Sequence, residues 1–195
     1  MILRVFLATL LLSISACSSM KPQDFANDQP HLILEEFFAG QTRAWGIFED
    51  RFGDVRAQFV VDISGTWDGR ELTLVEDFLY NDGRTDRRIW VIKRIDAHTY
   101  EGRAGDVIGS ATGTVFGNAL NWRYDMDLKV GARTLRVHFN DWMFLQPNNV
   151  MINRARVSKW GVTVGEVTLF FSKPGQTANG AVAAELSAPV EEIAH

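Results

Sequence analysis

Apolar and polar residues alternate along most of the chain, from Ala44 to Phe171. In the clearest run, residues 120–130, polar residues hold the odd positions and apolar residues the even ones: Leu120, Trp122, Tyr124, Met126, Leu128 and Val130. A period of two is typical of strands with one buried and one solvated face. Short sequences rich in Gly, Asn, Asp and Pro separate the runs, as hairpin turns require. The pattern predicts roughly nine or ten strands in a meander.

Closure of this meander into a barrel is expected because closure removes the unpaired strand edges. Thirteen Phe, six Trp and three Tyr support β-structure, since aromatic side chains pack well on a pleated surface. The predicted fold class is therefore all-β, an antiparallel up-and-down meander that closes into a β-barrel over residues 31–173, with a short N-terminal helix. Residues 44–53 are expected to form the opening strand, with Trp45 at the floor or in the core.

A short helix is predicted from His31 to Ala39, just before the first strand. Its apolar side chains share one side, its two glutamates lie on the other, and Gly40 falls at the position of a C-terminal cap: the apolar set is Leu34, Phe37 and Phe38. We expect this helix to pack against the barrel or to plug one end of it.

The N-terminus has the pattern of an export signal. Residues 1–16 combine Arg4 with an apolar run too short to span a bilayer as a helix. Ile14-Ser15-Ala16-Cys17 resembles a bacterial lipobox, which predicts cleavage before Cys17 and acylation of its thiol. Residues 17–30 are then a lipidated tether, and residues 174–195 a disordered tail. The expected location is the periplasmic face of the outer membrane, held by the acyl chains.

Composition and motifs exclude several functions. A formal net charge of -4 provides no basic surface for nucleic acid. The four histidines lie far apart in sequence, so no metal site is predicted. No phosphate-binding loop, nucleophile elbow or free thiol beyond Cys17 is present, so no cofactor is expected.

Two acidic residues fall in step with apolar ones. Glu76 shares its phase with Leu74 and Phe78, and Asp141 shares its phase with Phe139 and Met143. If Asn81-Asp82-Gly83 closes a hairpin, Arg88 lies opposite Glu76 and Trp90 lies opposite Leu74. One interpretation is an internal Glu76–Arg88 salt bridge, with Asp141 at a bulge facing water. The other is that these groups line a cavity and orient a ligand's polar head group.

Several motifs together resemble a known family over about residues 34–171. In chain order they are Phe38-x-Gly40, Ala44-Trp45-Gly46-x-Phe48-x-Asp50-Arg51-x-Gly53, Gly65-Thr66-Trp67, Glu76-x-Phe78-x-Tyr80, Arg88-x-Trp90, Asp106-Val107-x-Gly109, Gly117-Asn118-Ala119-x-Asn121-Trp122, Asp141-Trp142-Met143 and Asn153-Arg154. They resemble a family of bacterial lipoproteins, domain-of-unknown-function family 3833. The resemblance implies a calycin-like barrel, similar to lipocalins and fatty-acid-binding proteins, and brings no settled activity.

Three functions are compatible with these features. The first is a binding module that holds a lipid or other hydrophobic small molecule in a cavity of several hundred cubic ångströms. Its candidate lining is Glu76, Arg88, Trp90, Asp106, Trp122, Tyr124, Phe139 and Asp141. The second is a structural or assembly lipoprotein whose barrel exterior contacts an envelope partner. The third, and least favoured, is a lipid-modifying enzyme that uses Glu76, Asp106 or Asp141 as acid or base, because no complete catalytic constellation is recognisable.

Overall fold

The fold is a closed barrel of ten antiparallel strands, seen in a computed structural model that describes residues 20–130 and 133–173. Each strand pairs with the next one in the chain, and the first pairs with the last. The strands are β1 (Gly40–Asp50), β2 (Val55–Trp67), β3 (Glu71–Tyr80), β4 (Thr85–Arg94), β5 (Thr99–Arg103), β6 (Val107–Phe116), β7 (Ala119–Val130), β8 (Arg133–Gln146), β9 (Val150–Lys159) and β10 (Val162–Ser172). The predicted all-β meander and its closure are confirmed.

The alternating pattern places the core inside the barrel. On β7, the even-numbered Leu120 and Met126 are 1% exposed, whereas Arg123 and Asp125 face solvent. Asn121 departs from the pattern because it is buried on the odd-numbered face. Its side-chain amide donates hydrogen bonds to the Asn140 side chain and to the Asp141 carbonyl, which satisfies the buried group.

The predicted helix is present but shorter than expected, spanning Leu34–Phe38 as α1. The preceding backbone is extended, and the amide of Leu32 donates to the carbonyl of Gly117 rather than to a helical partner. Gly40 directly follows Ala39, the C-cap residue of the helix. It begins β1 with a φ of 84°, in the left-handed region that glycine tolerates.

Helix α1 plugs one end of the barrel. Its apolar side chains are buried as predicted, and two of them, Leu34 and Phe38, line the barrel interior. Glu35 anchors the polar side, because it accepts hydrogen bonds from Arg94 at 3.1 Å and from the Tyr100 hydroxyl at 2.8 Å. Gly65 permits the close approach, since a Cβ there would overlap the carbonyl of Phe38.

The prediction that Trp45 is a floor or core residue is wrong. Strand β1 turns Thr42, Ala44 and Gly46 inward, so Trp45 lies on the outer face with 44% of its surface exposed. Its ring lies 6.0 Å from that of Phe170 on β10. The inward-facing Ala44 and Gly46 are small, and large apolar side chains occur on both faces of this strand. The sequence pattern therefore does not show which face is buried.

The segment before α1 lies against the outside of the barrel. Residues Pro22–Phe25 form a 3-10 turn, and the Phe25 ring contacts those of Trp142 at 5.9 Å and Phe144 at 5.3 Å. The sequence did not indicate this contact within the predicted tether. The predicted signal peptide, Cys17 and the predicted tail lie outside the described residues. Within the described ranges, no helix has the length and apolar character needed to cross a membrane.

Candidate functional site

The barrel encloses a cavity of about 560 Å³. It extends from α1 to the opposite end of the barrel, where Arg56 and Arg84 line its mouth and remain 55% and 65% exposed. Its walls are mainly aromatic and aliphatic, and they include Trp122, Tyr124 and Phe139 as predicted. A volume of this size is within the range of small-molecule sites.

The aromatic wall of the cavity is built from β4, β7 and β8, and its rings meet across the interior where β5 and β6 contribute glycines. The Trp90 ring meets the Trp122 ring edge-on at 5.7 Å and the Tyr124 ring at 5.4 Å. Tyr124 stacks on Phe139 at 5.0 Å with nearly parallel planes. Gly102 and Gly113 lie directly against the indole of Trp122, where a Cβ at either position would collide with it.

Arg88 is the centre of the charged groups in the cavity. The predicted hairpin register is confirmed, because Glu76 pairs with Arg88 and Leu74 with Trp90. The predicted salt bridge is only partly correct, since Arg88 Nη1 lies 3.9 Å from Glu76 Oε2. The closer partner is Asp106, whose carboxylate accepts from Arg88 Nε at 3.0 Å and lies 2.9 Å from Nη2. Asp106 comes from the β5–β6 turn and does not itself line the cavity.

Asp141 faces the cavity, and its predicted position at a water-facing bulge is wrong. Its pairings with Trp122 on β7 and Ala155 on β9 are regular, and its side chain is buried at 6% exposure. The Tyr124 hydroxyl donates to Asp141 Oδ2 in a long hydrogen bond of 3.5 Å. An unbroken register keeps Asp141 in phase with Phe139, which turns the carboxyl group inward.

Asn153 is a cavity residue that sequence reasoning did not single out. It lies on β9 in phase with Met151 and Ala155, and none of its surface is exposed. Neither atom of its side-chain amide, nor Asp141 Oδ1, has a hydrogen bond of normal geometry in the part of the chain that the structure describes, although Asn153 lies close enough to Asp141 to lower the pKa of that carboxyl group. The available signal was an amide in step with apolar residues, the same signal that identified Glu76 and Asp141. Buried polar atoms without partners need an explanation such as a bound ligand or water.

The family model described as "Protein of unknown function (DUF3833)" matches residues 11–173. The chain belongs to this family. The resemblance seen in the motifs is thereby confirmed, and the closed barrel of the DUF3833 chain is consistent with a calycin-like fold. No curated protein matches the chain significantly.

Burial changes the protonation of two carboxyl groups in the DUF3833 cavity. It raises the pKa of Glu76 to about 7, although Arg88 opposes the rise and Asp106 adds to it. Burial likewise raises the pKa of Asp141 to about 7, against the hydrogen bond from Tyr124 and the charge of Arg88. Both groups are therefore poised between the neutral and ionised forms near neutral pH.

Among residues 20–130 and 133–173, no three His, Cys, Asp or Glu side chains are placed to hold a metal ion.

These raised pKa values predict that stability falls as pH rises. The folded protein holds the protons of Glu76 and Asp141 more tightly than the unfolded chain does, so this stabilisation is complete below the ordinary pKa values. It is lost as pH rises through about 7. We expect the free energy of unfolding in urea to decrease by about 5 kcal/mol between pH 5 and pH 8, about half of it from each group.

Substitution of the two carboxyl groups checks their part in this slope. The double substitution Glu76→Gln and Asp141→Asn should flatten the pH dependence, because neither replacement titrates. Asp77→Asn is the matched control, since Asp77 is the exposed, outward-facing neighbour of Glu76. A slope that persists in the double variant, or that disappears in the control, would contradict the assignment.

Proposed function

We propose that this DUF3833 protein binds a lipid or another hydrophobic small molecule inside its barrel. The observation that carries the proposal is the cavity of about 560 Å³ with its largely apolar wall. Ligand sites of this kind combine an apolar lining with a few convergent polar groups. Glu76, Arg88, Asp141 and Asn153 supply those groups here.

The polar atoms without partners support an occupied cavity. Asp141 Oδ1 and the side-chain amide of Asn153 line the same space, and no described residue makes a hydrogen bond of normal geometry with them. Leaving such groups unpaired costs about 1–3 kcal/mol each. A ligand whose polar group reached them would recover that energy, and its apolar part would cover the aromatic wall.

We further propose that the protein is an acylated envelope lipoprotein, anchored through Cys17 at the periplasmic face of the outer membrane. The lipobox supports this, and so does the rim around the cavity mouth. Phe52 and Trp160 occupy the tips of the neighbouring β1–β2 and β9–β10 turns and are 75% and 92% exposed. Arg51 and Lys159 each place a cation 4.6 Å from one of these rings. Exposed aromatic and basic side chains together are typical of contacts with a membrane interface, where a lipid ligand could enter or leave.

Binding of a neutral apolar fluorophore, N-phenyl-1-naphthylamine, tests the proposal. All ten strands of the barrel and its buried core lie within residues 32–172 of the described chain, so residues 18–195 retain the barrel and can be prepared without acyl chains or detergent. We expect saturable binding with one site and a micromolar dissociation constant. A lack of saturable binding would overturn the proposal.

A contact with an envelope partner is the second candidate function. The outer faces of β1, β10 and β9 carry a row of apolar side chains in register, Trp45, Phe170 and Ile152, which are 44%, 43% and 42% exposed. Exposed apolar groups of this kind mark interaction sites. If the double substitution Trp45→Ser and Phe170→Ser abolishes binding of the fluorophore, the outer face is the binding site and the cavity is not.

A further inference from the structure

We infer that the cavity selects amphiphiles whose polar group donates hydrogen bonds, an alcohol or an amine, over those with a carboxylate head group. This inference rests on the proposed function, since it concerns the ligand of the same cavity. Three observations support it: the balance of charged groups around the cavity, the contacts of Arg88 with Asp106 and Glu76, and the buried acceptor atoms that lack a hydrogen-bond partner among the described residues.

Carboxyl groups outnumber cations in the interior. Glu76 and Asp141 line the cavity together with Arg88, and Asp106 pairs with Arg88 from the β5–β6 turn, so among the described residues three carboxyl groups accompany one guanidinium group. The other charged residues of the cavity wall, Arg56 and Arg84, lie at the mouth. Each is already paired there, Arg56 with Asp50 and Asp54, and Arg84 with Asp82.

Two of the three side-chain nitrogen atoms of Arg88 are committed to Asp106, and the third faces Glu76 without a hydrogen bond. Its Nε and Nη2 atoms engage the Asp106 carboxylate in a two-pronged ion pair, and Nη1 is directed at Glu76. Nη2 also lies 3.7 Å from Met126 Sδ. A ligand carboxylate would have to displace Asp106 from Nε and Nη2 or share Nη1, which faces the Glu76 carboxyl group at 3.9 Å. It would also bring a fourth acidic group into a partly desolvated space, where like charges repel strongly.

The cavity wall contains hydrogen-bond acceptors that suit a ligand whose polar group is a hydrogen-bond donor. Asp141 Oδ1 and Asn153 Oδ1 are buried acceptors and Asn153 Nδ2 is a buried donor, none of them hydrogen-bonded within the described residues, so acceptors outnumber donors on these two cavity-lining side chains. Glu76 adds a further carboxyl group to the same wall. A hydroxyl or ammonium group donates to such oxygens, and an ammonium group also reduces the excess of negative charge.

Apolar surface lies on both sides of these acceptors along the barrel axis. Leu34 and Phe38 of α1 cover the closed end of the cavity, and Phe59 and Phe78 lie toward its mouth. The polar group of a ligand therefore sits within the length of the cavity, and its hydrocarbon part has apolar contacts beyond it.

Competition among three amphiphiles of equal chain length tests the inference. Residues 18–195 are loaded with N-phenyl-1-naphthylamine at pH 8, then titrated with 1-dodecanol below its solubility limit, or with dodecylamine or dodecanoate below their micellar concentrations. We expect the alcohol and the amine to displace the fluorophore at concentrations about tenfold lower than dodecanoate does. Displacement by dodecanoate at equal or lower concentrations would overturn the inference.

Two variants connect this preference to the acidic groups. Asp141→Asn should weaken the preference for the amine over dodecanoate by about tenfold, because it removes one charge and keeps the shape of the side chain. Asp77→Asn, on the outer face, should leave the order unchanged. An unchanged order in Asp141→Asn would contradict the role given to Asp141.

If Asp141→Asn fails to fold, the order in which the three amphiphiles displace the fluorophore from the wild-type protein still tests the inference. Failure of the fluorophore to bind at all would overturn the proposed function itself, whereas binding with a preference for dodecanoate would overturn only this inference.

Discussion

Replacing Arg88 with methionine is expected to lower the free energy of unfolding by about 3 kcal/mol at pH 8, as measured in urea. Among the described residues, Arg88 is the cation paired with Asp106 and Glu76, so the substitution leaves their carboxylates without compensation. The expected loss is at the low end for a buried pair, because the Asp106 side chain keeps 36% of its surface exposed.

The neighbouring arginine provides the control for this substitution. Arg87 points outward, is exposed and pairs with Asp77, so Arg87→Met should change stability little. At pH 5 the loss in Arg88→Met should shrink, since Glu76 is then protonated and no longer needs a cation. Equal losses in the two variants, or an equal loss for Arg88→Met at both pH values, would contradict the account of the cluster.

Placing a tryptophan at Val167 is expected to weaken binding of N-phenyl-1-naphthylamine at least about tenfold. Val167 lines the cavity on β10 and is paired with Ala155 on β9, which in turn is paired with Asp141 on β8. An indole at this position would occupy space that a ligand needs beside the acceptor atoms. Because the cavity already has room for it, the barrel should tolerate the change better than a filled core would.

Thr168→Trp is the matched control for the cavity substitution. Thr168 is the next residue on β10, and because successive side chains alternate it shares the outer face with Phe170. Thermal unfolding of both variants establishes that each is folded before binding is compared. Unaltered binding in Val167→Trp, or an equal loss in Thr168→Trp, would show that the fluorophore binds outside the cavity.

Sequence reasoning succeeded where the relevant signals are local. The period of two identified the buried faces, and the turn at Asn81-Asp82-Gly83 fixed the register that places Glu76 opposite Arg88. Both signals depend only on neighbours along a strand or across one hairpin. The closed barrel followed from the same patterns, because a long meander with no alternative partner for its edges closes on itself.

The details that escaped prediction depend on contacts between distant segments or on strands with two apolar faces. Asp106 reaches Arg88 from the β5–β6 turn, and nothing in local spacing brings them together. Trp45 was placed inside because β1 has apolar residues on both faces, and the inward ones, Ala44 and Gly46, are small. Asn153 was overlooked because an uncharged amide among apolar residues is a weaker signal than a carboxylate.

Native mass spectrometry of residues 18–195 tests the central claim, that the cavity holds a hydrophobic ligand, most directly. The protein is first incubated with a total lipid extract of bacterial membranes and then freed of excess lipid. We predict a non-covalent adduct of lipid mass that collisional activation releases, present also in Thr168→Trp and lost in Val167→Trp. A wild-type protein that carries no adduct after this incubation, or an adduct that Val167→Trp retains in full, would contradict the claim.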